Sequence, residues 1–208
     1  RNVPEALRLA PGVHVAKVDG NKWSIGIRGF QNQFSSKLLV QIDGRSVYNN
    51  AFAGVYWDTQ DVLLDDIQRI EVVRGPGATV WGSNAVNGVI NVITKRARDT
   101  QGLYVTAGGG TEEEAFVGAR LGGSAAGGDL QWRVSGKWFE RDTQFFPGIE
   151  TFDATQQGRG AFRVDWAASD VDDLTLQGDI YRGVSGGTYV GAPPTGSDVQ
   201  LQGANLLG

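Results

Sequence analysis

The stretch RIEVVRGPGATVWGSNAVNGVINVITK, Arg69–Lys95, holds too much glycine for an uninterrupted strand and too much valine and isoleucine for a loop. Gly75-Pro76-Gly77 predicts a sharp turn. Gly82 and Gly88 allow positive φ or a close backbone approach, and Asn84 and Asn87 suit bends in which side chains bond to peptide groups. Val89, Ile90, Val92 and Ile93 then predict a buried strand. The segment reads as two strands around a tight bend, ending at Thr94-Lys95.

Short elements precede it. VPEALRLAPG predicts a brief helix, with Pro4 in its first turn and Pro11-Gly12 as the stop. KLLVQIDGRSVY predicts a hairpin turning at Asp43-Gly44. DTQDVLLDDIQRI predicts a two-turn helix capped at Asp58 or Thr59, feeding the strand RIEVVRG. Residues 1–98 thus read as a small α+β domain.

From Gly102 the grammar changes to period two. In DLQWRVSGKW, Leu130, Trp132, Val134, Gly136 and Trp138 fall on one face, and Gln131, Arg133, Ser135 and Lys137 on the other. EAFVGARLGG, GAFRVDW, LTLQGDIY and GLYVTAGGG supply further candidate strands. The connectors GSAAGGD and ASDVDD are short, whereas RDTQFFPGIETFDATQQ is long, the layout of an outer-membrane barrel. Trp132, Trp138, Trp166 and Tyr181 lie where aromatic girdles would sit. A soluble antiparallel sandwich alternates in the same way, and periodicity leaves both open.

Composition narrows the field. The net charge of -4, with no basic run, argues against a nucleic-acid partner. No run approaches the about 18 apolar residues of a spanning helix, which says nothing against a barrel. Mean hydropathy is -0.23, ordinary for a globule. Without cysteine there is neither a disulfide nor a thiolate metal site. The chain has no methionine and no secretory leader, and is expected to be an internal piece of a longer protein.

SIGIRGF (Ser24–Phe30), LLVQIDGRSVY (Leu38–Tyr48) and DIQRIEVVRGPGATVWGSNAVNGVINVITK (Asp66–Lys95), in that order, resemble the plug domain of TonB-dependent outer-membrane receptors. The resemblance implies an α+β plug domain over residues 1–98. Over 99–208 it implies antiparallel strands of an incomplete outer-membrane β-barrel, too few to close. It further implies a Gram-negative outer membrane, contact with its lipid, and energy-coupled uptake of a scarce nutrient. By family frequency a ferric siderophore or other iron chelate comes first and cobalamin next. TonB is the implied partner, through an upstream segment. Arg28 and Arg74, each beside a glycine, would face the barrel wall and lock the plug onto carboxylates of later strands; the plainer reading is two solvated arginines. Trp23, Gln31, Phe52, Tyr56 and Trp57 are candidate ligand contacts at the outer mouth, or core packing beneath its loops.

Other chemistry is thin. GPGATVWGSNA lacks the Gly-Lys-Ser/Thr ending of a phosphate loop. Glu112-Glu113-Glu114 reads as a solvated loop tip. His14, the only histidine, has no partner for a metal and cannot alone serve a nucleophilic triad. The reading is of a transporter, not an enzyme, without a cofactor. A soluble β-rich binding or adhesion module is the competing reading.

Overall fold

Asn2 starts the first helix: its Oδ1 accepts from the Glu5 N–H at 2.9 Å, and Pro4 occupies the first turn of α1 (Val3–Leu7). The structure, a computed structural model, describes residues 2–29, 33, 35–51, 53–148, 150–169, 171–189 and 195–208. The chain divides into two compact units, Arg1–Thr94 and Lys95–Gly208.

In the first unit β1 (Val13–Lys17) and β2 (Trp23–Ile27) form an antiparallel hairpin. The predicted turn at Asp43-Gly44 joins β3 (Leu38–Ile42) to β4 (Arg45–Ser46). Both turn residues have positive φ, 49° and 80°, the combination a two-residue I′ connection requires. A small ladder pairs β5 (Tyr48–Asn49) with β6 (Gly54–Val55). Then come β7 (Ile67–Arg74), one turn of helix α2 (Ala78–Trp81) and β8 (Gly88–Thr94).

The main sheet has the order β4-β3-β8-β7, with β8 parallel to β3 and antiparallel to β7. Flanked on both sides, β8 is the buried strand expected: Val89, Ile90 and Val92 are wholly inaccessible. Val3, Leu7, Ile25, Ile27, Leu38 and Val40 complete the core around it.

The helix predicted from Asp58 does not form; only a 3-10 turn at Leu64–Asp66 is present. Local polar bonds divert the backbone. The Thr59 N–H and hydroxyl both donate to Tyr56 O, and Asp61 Oδ1 accepts from the Val62 N–H. This extended path lets Leu63 bury, with Val62 and Leu64 against the same core.

The second unit opens with a 3-10 turn at Ala97–Thr100 and continues as six antiparallel strands, each paired with the next: β9 (Gly102–Gly108), β10 (Ala115–Ala125), β11 (Leu130–Arg141), β12 (Thr155–Ala167), β13 (Asp173–Tyr189) and β14 (Thr195–Leu207). Its burial is inverted relative to a soluble sheet. Leu103, Val134, Trp166, Leu174 and Ile180 are bare at 45–74% exposure, whereas Arg133 and Arg141 on the opposite face are at 7% and 8%. A sandwich hides its apolar stripe; a barrel wall turns it outward to lipid and keeps charge inside.

The inner face is wired. Arg159 pairs with Asp179, and Asn205 also donates to Asp179. Arg163 bonds Asp165 and Gln177. Arg120 lies 5.0 Å above the Tyr104 ring. Tyr181, expected in a girdle, belongs to this inner face, where the Arg159 guanidinium stacks on it at 4.7 Å. Residue parity decides that, since Tyr181 alternates with outward Ile180 and Arg182. The sequence reading missed β14.

Candidate functional site

The two arginines singled out from the sequence stand at the ends of β2 and β7, on either side of a close approach at Gly88. Ile27, the last residue of β2, packs over Gly88, where an added Cβ would lie 2.8 Å from Ile27 Cδ1 and 2.5 Å from Val73 O. Only glycine permits that approach, and it fixes the end of β2 against the β7–β8 ladder. Gly88 is in register with Arg74, while Arg28 follows Ile27 in a left-handed conformation, φ 59°. Arg28 thus reaches Gly75: a Cβ there would stand 3.8 Å from Arg28 Nη1. Arg74 donates from Nη1 to Pro11 O at 3.2 Å. Both side chains are exposed, and neither has a carboxylate partner among the described residues. Exposed guanidiniums without a carboxylate favour an anionic partner.

The candidate ligand contacts divide. Trp23 and Trp57 lie in the core at 4% and 7% exposure, and the Arg8 guanidinium stands 5.7 Å from the Trp23 ring. Tyr56 is half-buried, and burial followed by the nearby Asp58 charge pushes its hydroxyl pKa up. Gln31 and Phe52 lie outside the described residues. The sequence reading overlooked Asp58 as a titrating group. Burial raises its carboxyl to about 6, against the opposing pull of backbone donors and Lys22.

A second arrangement lies where the units meet in sequence. In the first unit Asp43 grips the last residue: Thr94 donates from its N–H to Oδ1 at 2.7 Å and from its hydroxyl to Oδ2 at 2.8 Å. In the second unit Asp165 Oδ2 accepts from the Ala97 N–H at 2.7 Å, and Arg133 donates to Lys95 O at 2.7 Å. Asp165 is itself held by Arg163 at 2.9 Å and by the Thr175 hydroxyl at 2.9 Å. The chain is therefore clamped by an aspartate on either side of Lys95-Arg96. These bonds span 51 and 68 residues, beyond the reach of any local motif.

Residues 1–89 match the family model described as the TonB-dependent receptor plug domain. Over 97% of its length the chain is 32% identical to the vitamin B12 transporter BtuB of Photobacterium profundum, covering 33% of that protein. Among solved structures, the copper transporter OprC superposes with a TM-score of 0.74 over 99% of this chain and 32% of its own, at 14% identity. The pyoverdine outer membrane receptor FpvA from Pseudomonas aeruginosa PAO1, bound to pyoverdine, gives 0.67 over 88% and 25%, at 18% identity. At these identities the superpositions speak for the fold alone. The chain spans between 18% and 33% of the length of the curated relatives it matches first. Plug motifs and a wall with its apolar face outward thus converge: the chain belongs to the TonB-dependent receptors of the Gram-negative outer membrane, as a plug domain with strands of an unclosed barrel.

Proposed function

We propose that the receptor containing this chain imports a scarce nutrient through the outer membrane with energy passed from TonB, and that a cobalamin-like corrinoid is its first candidate ligand. One observation carries the ligand class: the 32% identity to a vitamin B12 transporter runs through 97% of the chain, plug and wall together. This reverses the order that family frequency suggested, and a ferric siderophore becomes the alternative outcome of the same experiment. Purified full-length receptor is titrated with cyanocobalamin and with a ferric catecholate, following tryptophan fluorescence. Saturable quenching by the corrinoid is expected; quenching by the iron chelate alone would overturn the ligand class.

In this reading Arg28 and Arg74 receive carboxylates from later strands of the wall and hold the plug reversibly. Their exposure and lack of an acidic partner among the described residues support that role. Tyr56 offers a half-buried aromatic to the ligand, and the buried Trp23 and Trp57 stiffen the core beside it. Removing both guanidiniums in the full-length receptor (R28A/R74A) is expected to admit large antibiotics that the parent excludes. Normal exclusion with unchanged uptake would remove the locking role.

A further inference from the structure

The outward face of the wall changes character along its height. The rows Leu130–Trp166–Leu174, Trp132–Val164–Leu176 and Val134–Phe162–Gly178–Leu206 are apolar, and Gly136–Gly160–Ile180–Ala204 is apolar with small residues beside Ile180. The next row is Trp138–Gly158–Arg182–Gln202, and the one beyond it Glu140–Gln156–Val184–Gln200. From Leu130 to Trp138 is about 26 Å of strand at about 3.3 Å per residue. At a tilt of about 40° that becomes about 20 Å of height, comparable with the roughly 25 Å apolar band of such barrels. The end beyond Trp138 is the one bearing the long 142–154 connection, whereas the opposite end turns tightly at Ala126–Gly128. Longer loops mark the outer side. The Trp138 row therefore stands at the headgroup level of the outer leaflet.

A depression of about 340 Å³ opens at this level, lined by Trp138, Gln156, Gly158, Arg182, Val184 and Gln200. Its floor is Gly158, and the fold does not demand glycine there: an added Cβ would meet Trp138 Cδ1 at an ordinary 3.8 Å. Arg182 is exposed toward lipid and has no acidic partner among the described residues. The carboxylates on this face, Glu140 and Asp198, stand one and two rows farther out. Arg182 is thus the cation nearest the apolar band.

We propose that this depression binds the headgroup of a phosphorylated glycolipid of the outer leaflet. The guanidinium takes a phosphate through paired N–H donors. The side-chain amides of Gln156 and Gln200 answer sugar hydroxyl and amide groups, each offering donor and acceptor. The Trp138 ring lies against the sugar and the first methylenes of the acyl chains. A free phosphate lacks the acyl chains that the apolar rows below receive, which favours the lipid as the source. The inference rests on the outer-membrane assignment and not on the identity of the nutrient.

The test uses delipidated full-length receptor in non-ionic detergent and native mass spectrometry, without any transported ligand. Bisphosphorylated lipid A, its dephosphorylated form, phosphatidylglycerol and inorganic phosphate are compared. Retention of bisphosphorylated lipid A above the other three is expected. R182Q should weaken that retention about tenfold, the loss expected when a charge-assisted pair is removed. G158L should weaken it comparably by filling the depression while leaving the charge. Heat-modifiable migration on gels verifies that each variant is folded, and Q200A replaces one that is not. Equal retention of phosphatidylglycerol, or indifference to both R182Q and G158L, would show an arginine that merely extends to the interface and would overturn the proposal. Inorganic phosphate bound as tightly as the glycolipid would overturn it too.

Discussion

Asp43 offers a graded test of how the plug domain is tied to its neighbour in the chain. Its carboxylate accepts two hydrogen bonds from Thr94, and its backbone sits at φ 49°. Hydrogen bonds to a charged group contribute about 1.5–3 kcal/mol each. Because the pair is only part-buried, the lower end applies, about 3 kcal/mol for both. Alanine at positive φ adds about 1 kcal/mol of backbone strain. D43A should therefore cost about 4 kcal/mol locally. D43G, which relieves the strain, should cost about 3 kcal/mol. D43N, which tolerates the turn and keeps one acceptor, should cost about 1 kcal/mol. Lys95, Arg96 and Arg98 give trypsin three sites immediately beyond the latch. Cleavage of a folded chain tracks the open population when closing is fast, at a factor of ten per about 1.4 kcal/mol. In the full-length receptor, cleavage at 95–98 should accelerate in the order D43N, D43G, D43A, reaching several hundredfold. Equal protection of D43G and the parent, or D43N as labile as D43A, would refute the latch.

Three further expectations follow from the same contacts. D165N removes the charge that gathers the Ala97 N–H, Arg163 and the Thr175 hydroxyl; cleavage at Arg98 should rise about tenfold, with the barrel still heat-modifiable on gels. G88A forces a Cβ against Val73 O and Ile27 Cδ1; a loss of about 2–3 kcal/mol should appear as a lower urea midpoint for the plug, and an unchanged midpoint would contradict the close approach. Asp58, raised from an ordinary 3.8 to about 6, binds its proton more tightly when folded. Its proton-linked stability is complete below about pH 4 and disappears as pH climbs through 6, up to about 3 kcal/mol. A urea series from pH 4.5 to 7.5 should show that slope in the parent and lose it in D58N.

What the sequence disclosed follows the range of the forces involved. Asp43-Gly44 was legible because the turn is set by two residues, and β8 because Val89, Ile90 and Val92 are buried on both sides. The stripes of β9–β13 were legible because a wall between lipid and water repeats every two residues. β14 breaks that rule: Val199 and Leu201 share the inner face, whereas Ala204 and Leu206 share the outer one. No single apolar stripe marks it. The stretch after Asp58 misled because its spacing allows a helix, while Thr59 and Asp61 bond to nearby backbone. Trp23 and Trp57 were ambiguous, because an aromatic in a loop-rich segment reads alike whether it faces a ligand or a core. The two arginines were visible only as separate Arg-Gly pairs; the packing of Ile27 on Gly88 that brings their backbones close was not.

The junction also separates two opposite burial rules within one chain. Before Thr94 the buried side chains are mostly apolar, and after Lys95 the least accessible side chains include Arg133, Arg141, Asp153 and Gln157. A single hydropathy scale averages these to -0.23 and sees an ordinary globule. The segment that changes the rule, KRARD at Lys95–Asp99, carries a charge at every position except Ala97. Ala97 is wholly inaccessible, and its N–H is the group Asp165 receives. A larger side chain there would press against the wall, and a strand-like apolar segment would be drawn toward lipid. Small, charged and clamped by carboxylates, the joint suits a place where the chain passes from a protein core to a wall whose apolar side must face outward.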